Sequence, residues 1–164
     1  MNKMRDVKME KVVLSVGGIG EELEKGFNLL KLLTKRIPAK MKTTKRIPAL
    51  GIRPKLEIGA FVTVRKKPNE FLKKMLAAKN NIVKRSSVDD NNFSFGIKEY
   101  IEIPGTEYQR DMGIRGLDVT VTFKRAGRRV KLKKIKRGKI PQKQKVSREE
   151  IIKFMEENFN TKFI

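Results

Sequence analysis

The sequence predicts an α+β fold built on an antiparallel β-sheet. Two observations carry this. Strand-like segments outnumber helical ones and several follow one another directly, without the alternating helices of a parallel sheet. The 164 residues are 38% hydrophobic, too apolar for a disordered chain, and one compact domain over residues 1–164 is the expectation for this length.

Residues 7–16 are rich in Val with partial alternation and read as a strand. Gly17–Gly18–Ile19–Gly20 turns the chain into a helix over residues 21–35. There Leu23, Phe27, Leu30 and Leu33 fall at helical spacing, and Glu21, Glu22 and Glu24 suit the positive end of the helix dipole. Pro38 stops it. An extended piece at 39–44 leads into a loop at 45–55 broken by Pro48, Gly51 and Pro54. Residues 58–65 form a second strand, and Pro68 opens a helix to about residue 79 with Phe71, Leu72, Met75 and Leu76 inward. Residues 82–92 read as polar loop, 93–95 and 97–103 as short extended segments, and 104–116 as a long loop. Leu117, Val119, Val121 and Phe123 share one face of a further strand. A basic extension at 124–146 precedes a C-terminal helix at 147–159. Ser147 and Glu150 have the spacing of a capping box, and Ile151, Ile152, Met155 and Phe159 line one side.

Charge position says more than charge total. The net charge is +22, from 40 basic and 18 acidic residues. Residues 26–56 hold nine basic residues and no acidic one, and residues 124–145 hold twelve and none. The rest of the chain is balanced, with 19 basic against 18 acidic. Clustered like charge opposes folding unless a partner neutralises it, and a phosphate backbone is the natural partner. A membrane surface would favour a basic amphipathic helix with an aromatic or leucine face. The 124–145 stretch has no aromatic residue and carries Gly127, Gly138 and Pro141. No apolar run approaches the 18 or more residues of a membrane span, and the N-terminus lacks a signal-type core. The expectation is a soluble intracellular protein that binds nucleic acid.

The absence of His and Cys removes imidazole and thiol catalysis, disulfides and zinc or iron–sulfur sites. The Gly17–Gly20 turn lacks the third glycine of a dinucleotide fingerprint, since position 23 is Leu, and three glutamates there would repel a pyrophosphate. Asp89–Asp90 and Glu99/Glu102 are the carboxylate pairs that a magnesium-dependent RNA-processing enzyme would use, but they read as solvated surface. Phe93 and Phe95 are candidate base-stacking platforms, with a core role the stronger expectation. The Lys–Arg–Ile–Pro–Ala string at 35–39 recurs at 45–49, two copies too few for a solenoid. A generic basic RNA chaperone is the remaining alternative. No catalytic residue, metal ligand, cofactor or small-molecule substrate is expected.

Several strings, in order and at family spacing, resemble the 5S-rRNA-binding ribosomal protein L-five family. They are Lys11–Val12–Val13–Leu14–Ser15–Val16–Gly17, Lys35–Arg36–Ile37–Pro38, Gly51–Ile52–Arg53, Val62–Thr63–Val64–Arg65, Asn92–Phe93–Ser94–Phe95–Gly96–Ile97 and Arg115–Gly116–Leu117–Asp118. The basic extension and capped helix resemble the archaeal and eukaryotic branch. The resemblance implies a non-enzymatic constituent of the large subunit of cytoplasmic ribosomes, with helices packed on one face of the sheet and long basic loops. It implies attachment of 5S rRNA in the central protuberance, beside large-subunit rRNA and neighbouring ribosomal proteins, and contact with P-site tRNA. By matching position it implies that Ser15, Arg36, Thr63 and Arg65 face 5S rRNA. Ser15 stands where Asn is usual and Arg36 where Gln is common. It places Lys45, Arg46, Arg53 and Lys55 on the tRNA-facing loop, with Leu50 where Phe is frequent. The extension, with Arg128, Arg129, Lys131, Lys133, Lys134, Lys136 and Arg137, is expected to embed in rRNA and to order against it.

Overall fold

A computed structural model describes residues 4–164. Its strands are β1 (Lys8–Gly17), β2 (Ala39–Lys42), β3 (Glu57–Val64), β4 (Ile82–Val83), β5 (Val88–Asp89), β6 (Asn92–Ile97), β7 (Leu117–Lys124) and β8 (Lys162–Phe163). Its helices are α1 (Glu21–Thr34), α2 (Pro68–Ala77), the short α3 (Arg129–Leu132) and α4 (Arg148–Phe159). The main sheet has six strands in the order β2-β3-β1-β7-β6-β5, every neighbouring pair antiparallel. The α+β expectation holds.

Alternation along the strands decides what each face carries. Val12, Leu14 and Val16 of β1 lie beside Val64, Val62 and Ala60 of β3, and Val121 and Val119 of β7 lie beside Phe93 and Phe95 of β6. All are buried, which settles Phe93 and Phe95 as core. Each fully buried side chain of this size contributes about 1.5–3 kcal/mol.

The three longer helices cover this face. Helix α1 lies on β1 and β3 through Leu23, Leu29 and Leu30. Gly26 permits the close approach, since a Cβ there would stand 2.7 Å from Val16 Cγ1. The buried stripe is rotated slightly from the expected one, leaving Phe27 and Leu33 half-buried at its margin. The helix ends where expected, three residues short of Pro38: Lys35 adopts the left-handed conformation and donates its N–H to Lys31 O at 2.8 Å. Helix α2 starts on its proline and buries Leu72, Met75 and Leu76. Helix α4 forms the expected capping box and buries Ile151, Met155 and Phe159. Its Phe154 meets the Phe123 ring edge-on at 5.6 Å.

The stretch at 82–92 is not plain loop. It contains β4, a 3-10 turn at Arg85–Ser87, and β5. β4 pairs in parallel with the C-terminal β8, a non-local contact that no local pattern announces. Residues 92–97 form one strand rather than two fragments, and Tyr100–Glu102 is a 3-10 turn instead of extended chain. Tyr100 is fully buried and its hydroxyl accepts the Gln109 N–H at 2.9 Å, folding the 104–116 loop over it.

Candidate nucleic-acid interface

With the helices on one face, the other face of the sheet is left open. Its cross-strand rows run Thr63–Val13–Thr120–Ser94, Phe61–Ser15–Asp118–Gly96 and Lys11–Thr122–Asn92. Hydroxyl and amide side chains dominate, each able to donate and accept hydrogen bonds. With Lys11 offset by Asp118, such a face is neutral overall and suited to the sugar and phosphate edge of structured RNA.

Ser15 and Thr63 stand on this face one row apart on adjacent strands. Arg36 joins them: its Nη1 donates to Thr63 O at 3.1 Å, beyond the point where β2 stops pairing with β3. Arg65 is exposed just past the end of β3. Ser15 and Thr63 thus share the open face, with Arg36 at the β3 edge beside Thr63 and Arg65 just beyond the end of the strand. Strand alternation also adds Lys11, Ser94 and Thr120 to this face, while Thr122 shares it but is buried beside the extension.

The cationic loop at 45–55 prolongs the β2–β3 ribbon. Thr43 and Leu56 continue the pairing, and Ile47 and Ile52 exchange hydrogen bonds of 3.0 and 3.1 Å. Pro48–Leu50 makes a 3-10 turn that Gly51, at φ 64°, closes. Ile52 is buried, whereas Lys45, Arg46, Arg53 and Lys55 are exposed and Leu50 stands out at the tip. At the base, Glu57 takes Lys40 at 3.2 Å and Lys42 at 3.8 Å, so their charge is partly spent within the ribbon.

The extension leaves the opposite end of the sheet. β7 finishes beside Lys8, the first residue of β1, while the 45–55 ribbon leaves beside its last, since Gly17 pairs with Gly59. The ten residues of β1 separate the two cationic elements by roughly 30 Å along the strand direction.

Both ends of the extension are tied down. Asn91, in the left-handed conformation at φ 62°, accepts the Phe123 N–H through its carbonyl at 2.8 Å. Its backbone N–H donates to Val146 O at 3.1 Å, and its Oδ1 accepts the Val146 N–H at 2.9 Å. Arg125 donates to the Glu150 carboxylate and to Lys143 O. Arg128 pairs with Glu10, which a register shift between Met9 and Lys11 releases from the β1 ladder. Between these ties lie helix α3 and a 3-10 turn at Gln142–Gln144. Arg129, Lys131, Lys133, Lys134, Lys136 and Arg137 are exposed. Arg128 is the exception among the predicted embedding residues, its charge directed to Glu10.

Burial pushes the Glu150 carboxyl up, but hydrogen bonds from the Ser147 backbone and Arg125 outweigh it and hold the group below its usual 4.5. Its contribution is therefore complete above pH 4.5 and is lost as pH falls through the lowered value. Wild-type protein is expected to exceed Glu150→Gln in urea midpoint at neutral pH, and the gap to shrink in acid. A gap independent of pH would exclude this linkage.

Asp89, Asp90, Glu99 and Glu102 are exposed, and no group of three or more acidic residues placed to hold a metal ion occurs among the described residues. The arrangement offers phosphate-binding charge and hydrogen-bonding groups.

The chain matches, over residues 57–154, the family model for the C-terminus of the ribosomal L-five family. It is similar to the large ribosomal subunit protein uL5 of Nanoarchaeum equitans, 43% identical over 98% of each chain. The uL5 of Sulfolobus acidocaldarius is 44% identical over 97% of this chain and 92% of its own. That of Methanobrevibacter smithii is 37% identical over 100% of this chain and 99% of its own. With a family model covering more than half of the chain and relatives about 40% identical over nearly the full length of both chains, the chain belongs to the ribosomal L-five family.

Proposed function

We propose that this chain binds 5S rRNA through the open face of its sheet and attaches it in the central protuberance of the large subunit. Family membership makes it a structural rather than catalytic component of the cytoplasmic ribosome. One observation carries the finer reading: a neutral hydroxyl-lined face lies between two cationic elements roughly 30 Å apart. Ser15, Arg36, Thr63 and Arg65 contact 5S rRNA at the face, and the extension packs into large-subunit rRNA beside neighbouring ribosomal proteins. The 45–55 ribbon reaches P-site tRNA with Lys45, Arg46, Arg53 and Lys55, where charge without base readout suits successive tRNAs.

Binding of the full chain to 5S rRNA, against an unrelated structured RNA of equal length, tests this. A clear preference for 5S rRNA is expected; equal affinities would reduce the protein to a generic basic RNA binder. Replacing Arg46, Arg53 and Lys55 together by Ala should leave 5S rRNA affinity within about twofold. In reconstituted large subunits the same variant should retain P-site tRNA less well. Loss of 5S rRNA binding with normal tRNA retention would reverse the assignment of the loop.

A further inference from the structure

The ties at Asn91 leave a cleft between the extension and the open face of the sheet. Its volume is about 530 Å³. Asn92 and Thr122, cross-strand neighbours, lie along the sheet side, Asp90 stands on the turn before β6, and Lys124, Lys139 and Lys145 belong to its rim. None of these three lysines, nor Asp90, makes an ion pair among the described residues.

Size and charge together select the ligand. Sites for small organic molecules span about 300–1,000 Å³, so the cleft exceeds what a bare phosphate needs yet excludes a duplex. Unpaired bases of RNA, in contrast, can be splayed out and read on their Watson–Crick edges. The rim supplies cations for phosphates. Asp90 supplies the reverse, an ionised carboxylate that only accepts hydrogen bonds. Of the four bases, guanine alone presents two adjacent N–H donors, N1–H and N2–H, that one carboxylate takes together. Asn92 and Thr122 add neutral donors and acceptors.

We infer that the cleft is a pocket for one unstacked guanosine of single-stranded RNA, its base read by Asp90 and its flanking phosphates held by Lys124, Lys139 and Lys145. This rests on the RNA-binding reading above but not on which RNA is bound.

The probes are a short fluorescent oligouridylate with one central guanosine, its central-adenosine and all-uridine counterparts, and a duplex carrying the same guanosine. The full chain should bind the guanosine strand about tenfold more tightly than the adenosine strand, as a bidentate base contact provides. The duplex should gain nothing from its guanosine. Asp90→Asn should erase the preference while binding all-uridine at least as tightly, since a negative charge is removed. Lys139→Ala with Lys145→Ala should weaken all three single strands alike. Equal affinity of the wild-type chain for the three strands, or a guanosine preference that survives in Asp90→Asn, would overturn the pocket. Preference for 5S rRNA over an unrelated RNA is measured in parallel: its loss beside an intact guanosine preference removes the 5S reading alone.

Discussion

Affinity of the full chain for 5S rRNA together with the adjoining large-subunit rRNA should fall by about 10³–10⁵-fold between roughly 50 and 200 mM monovalent salt if six to ten phosphates are neutralised. The chain carries enough free cations for this. Arg129, Lys131, Lys133, Lys134, Lys136 and Arg137 are exposed on the extension, six cations apart from those of the tRNA-facing ribbon. Those already engaged by acids, Lys40, Lys42, Arg125 and Arg128, release fewer counterions and add less to the slope. Replacing Lys133, Lys134 and Lys136 by Ala removes up to three phosphate contacts and should lower the log–log salt slope by about 3. Ser15→Ala should instead weaken binding at an unchanged slope, because a hydroxyl displaces no counterion. A flat salt response, or a slope unaffected by the triple substitution, would refute electrostatic embedding.

Salt should act in the opposite sense on the free protein. A chain of net charge +22 repels itself, and ions screen that repulsion. The urea midpoint of the free chain is thus expected to rise over the range in which the complex weakens. The opposite signs separate loss of binding from loss of fold in one titration.

The long strands, the three long helices and the charge map were legible in the sequence because each rests on a local pattern. Val12, Leu14 and Val16 alternate, Leu23, Leu30 and Leu33 recur at helical spacing, and Ser147 with Glu150 is a spacing that marks a helix start. The face of the sheet that lies open followed from the same alternation. What escaped depended on partners distant in sequence. Ile82 and Val83 are a strand only because Lys162 and Phe163 return beside them. Glu10 looks like any exposed strand residue until the register shift turns it to Arg128. The four residues implied to face 5S rRNA came from resemblance; the structure adds that Arg36 reaches them through the Thr63 carbonyl.

Asn91 is the sharpest case of a residue whose role no pattern disclosed, and its substitution should have a large effect on stability. The run Asp89–Asp90–Asn91–Asn92 marks a turn and nothing more. In the structure its side chain satisfies the N–H of Val146, a fully buried residue that ends the basic extension. Asn91→Ala removes that acceptor, about 1–3 kcal/mol for a buried donor left unpaired. It also holds alanine in the left-handed region without the local hydrogen bonding that favours Asn there, about 1–2 kcal/mol more. A total loss of about 2–5 kcal/mol is expected in urea unfolding. Asn91→Gly isolates the first cause, since glycine adopts this conformation freely, and should be the milder of the two. Asn91→Asp keeps the acceptor and should be milder than Ala for the other reason. The backbone hydrogen bonds of Asn91 to Phe123 and Val146 survive in every variant, so the extension should loosen at its base rather than detach. Amide exchange at Val146 should accelerate in the Ala and Gly variants and stay slow in Asp. If Ala and Gly are equally stable, the left-handed conformation carries none of the cost. If Val146 exchanges slowly in all three, the side chain is not what closes the base of the extension.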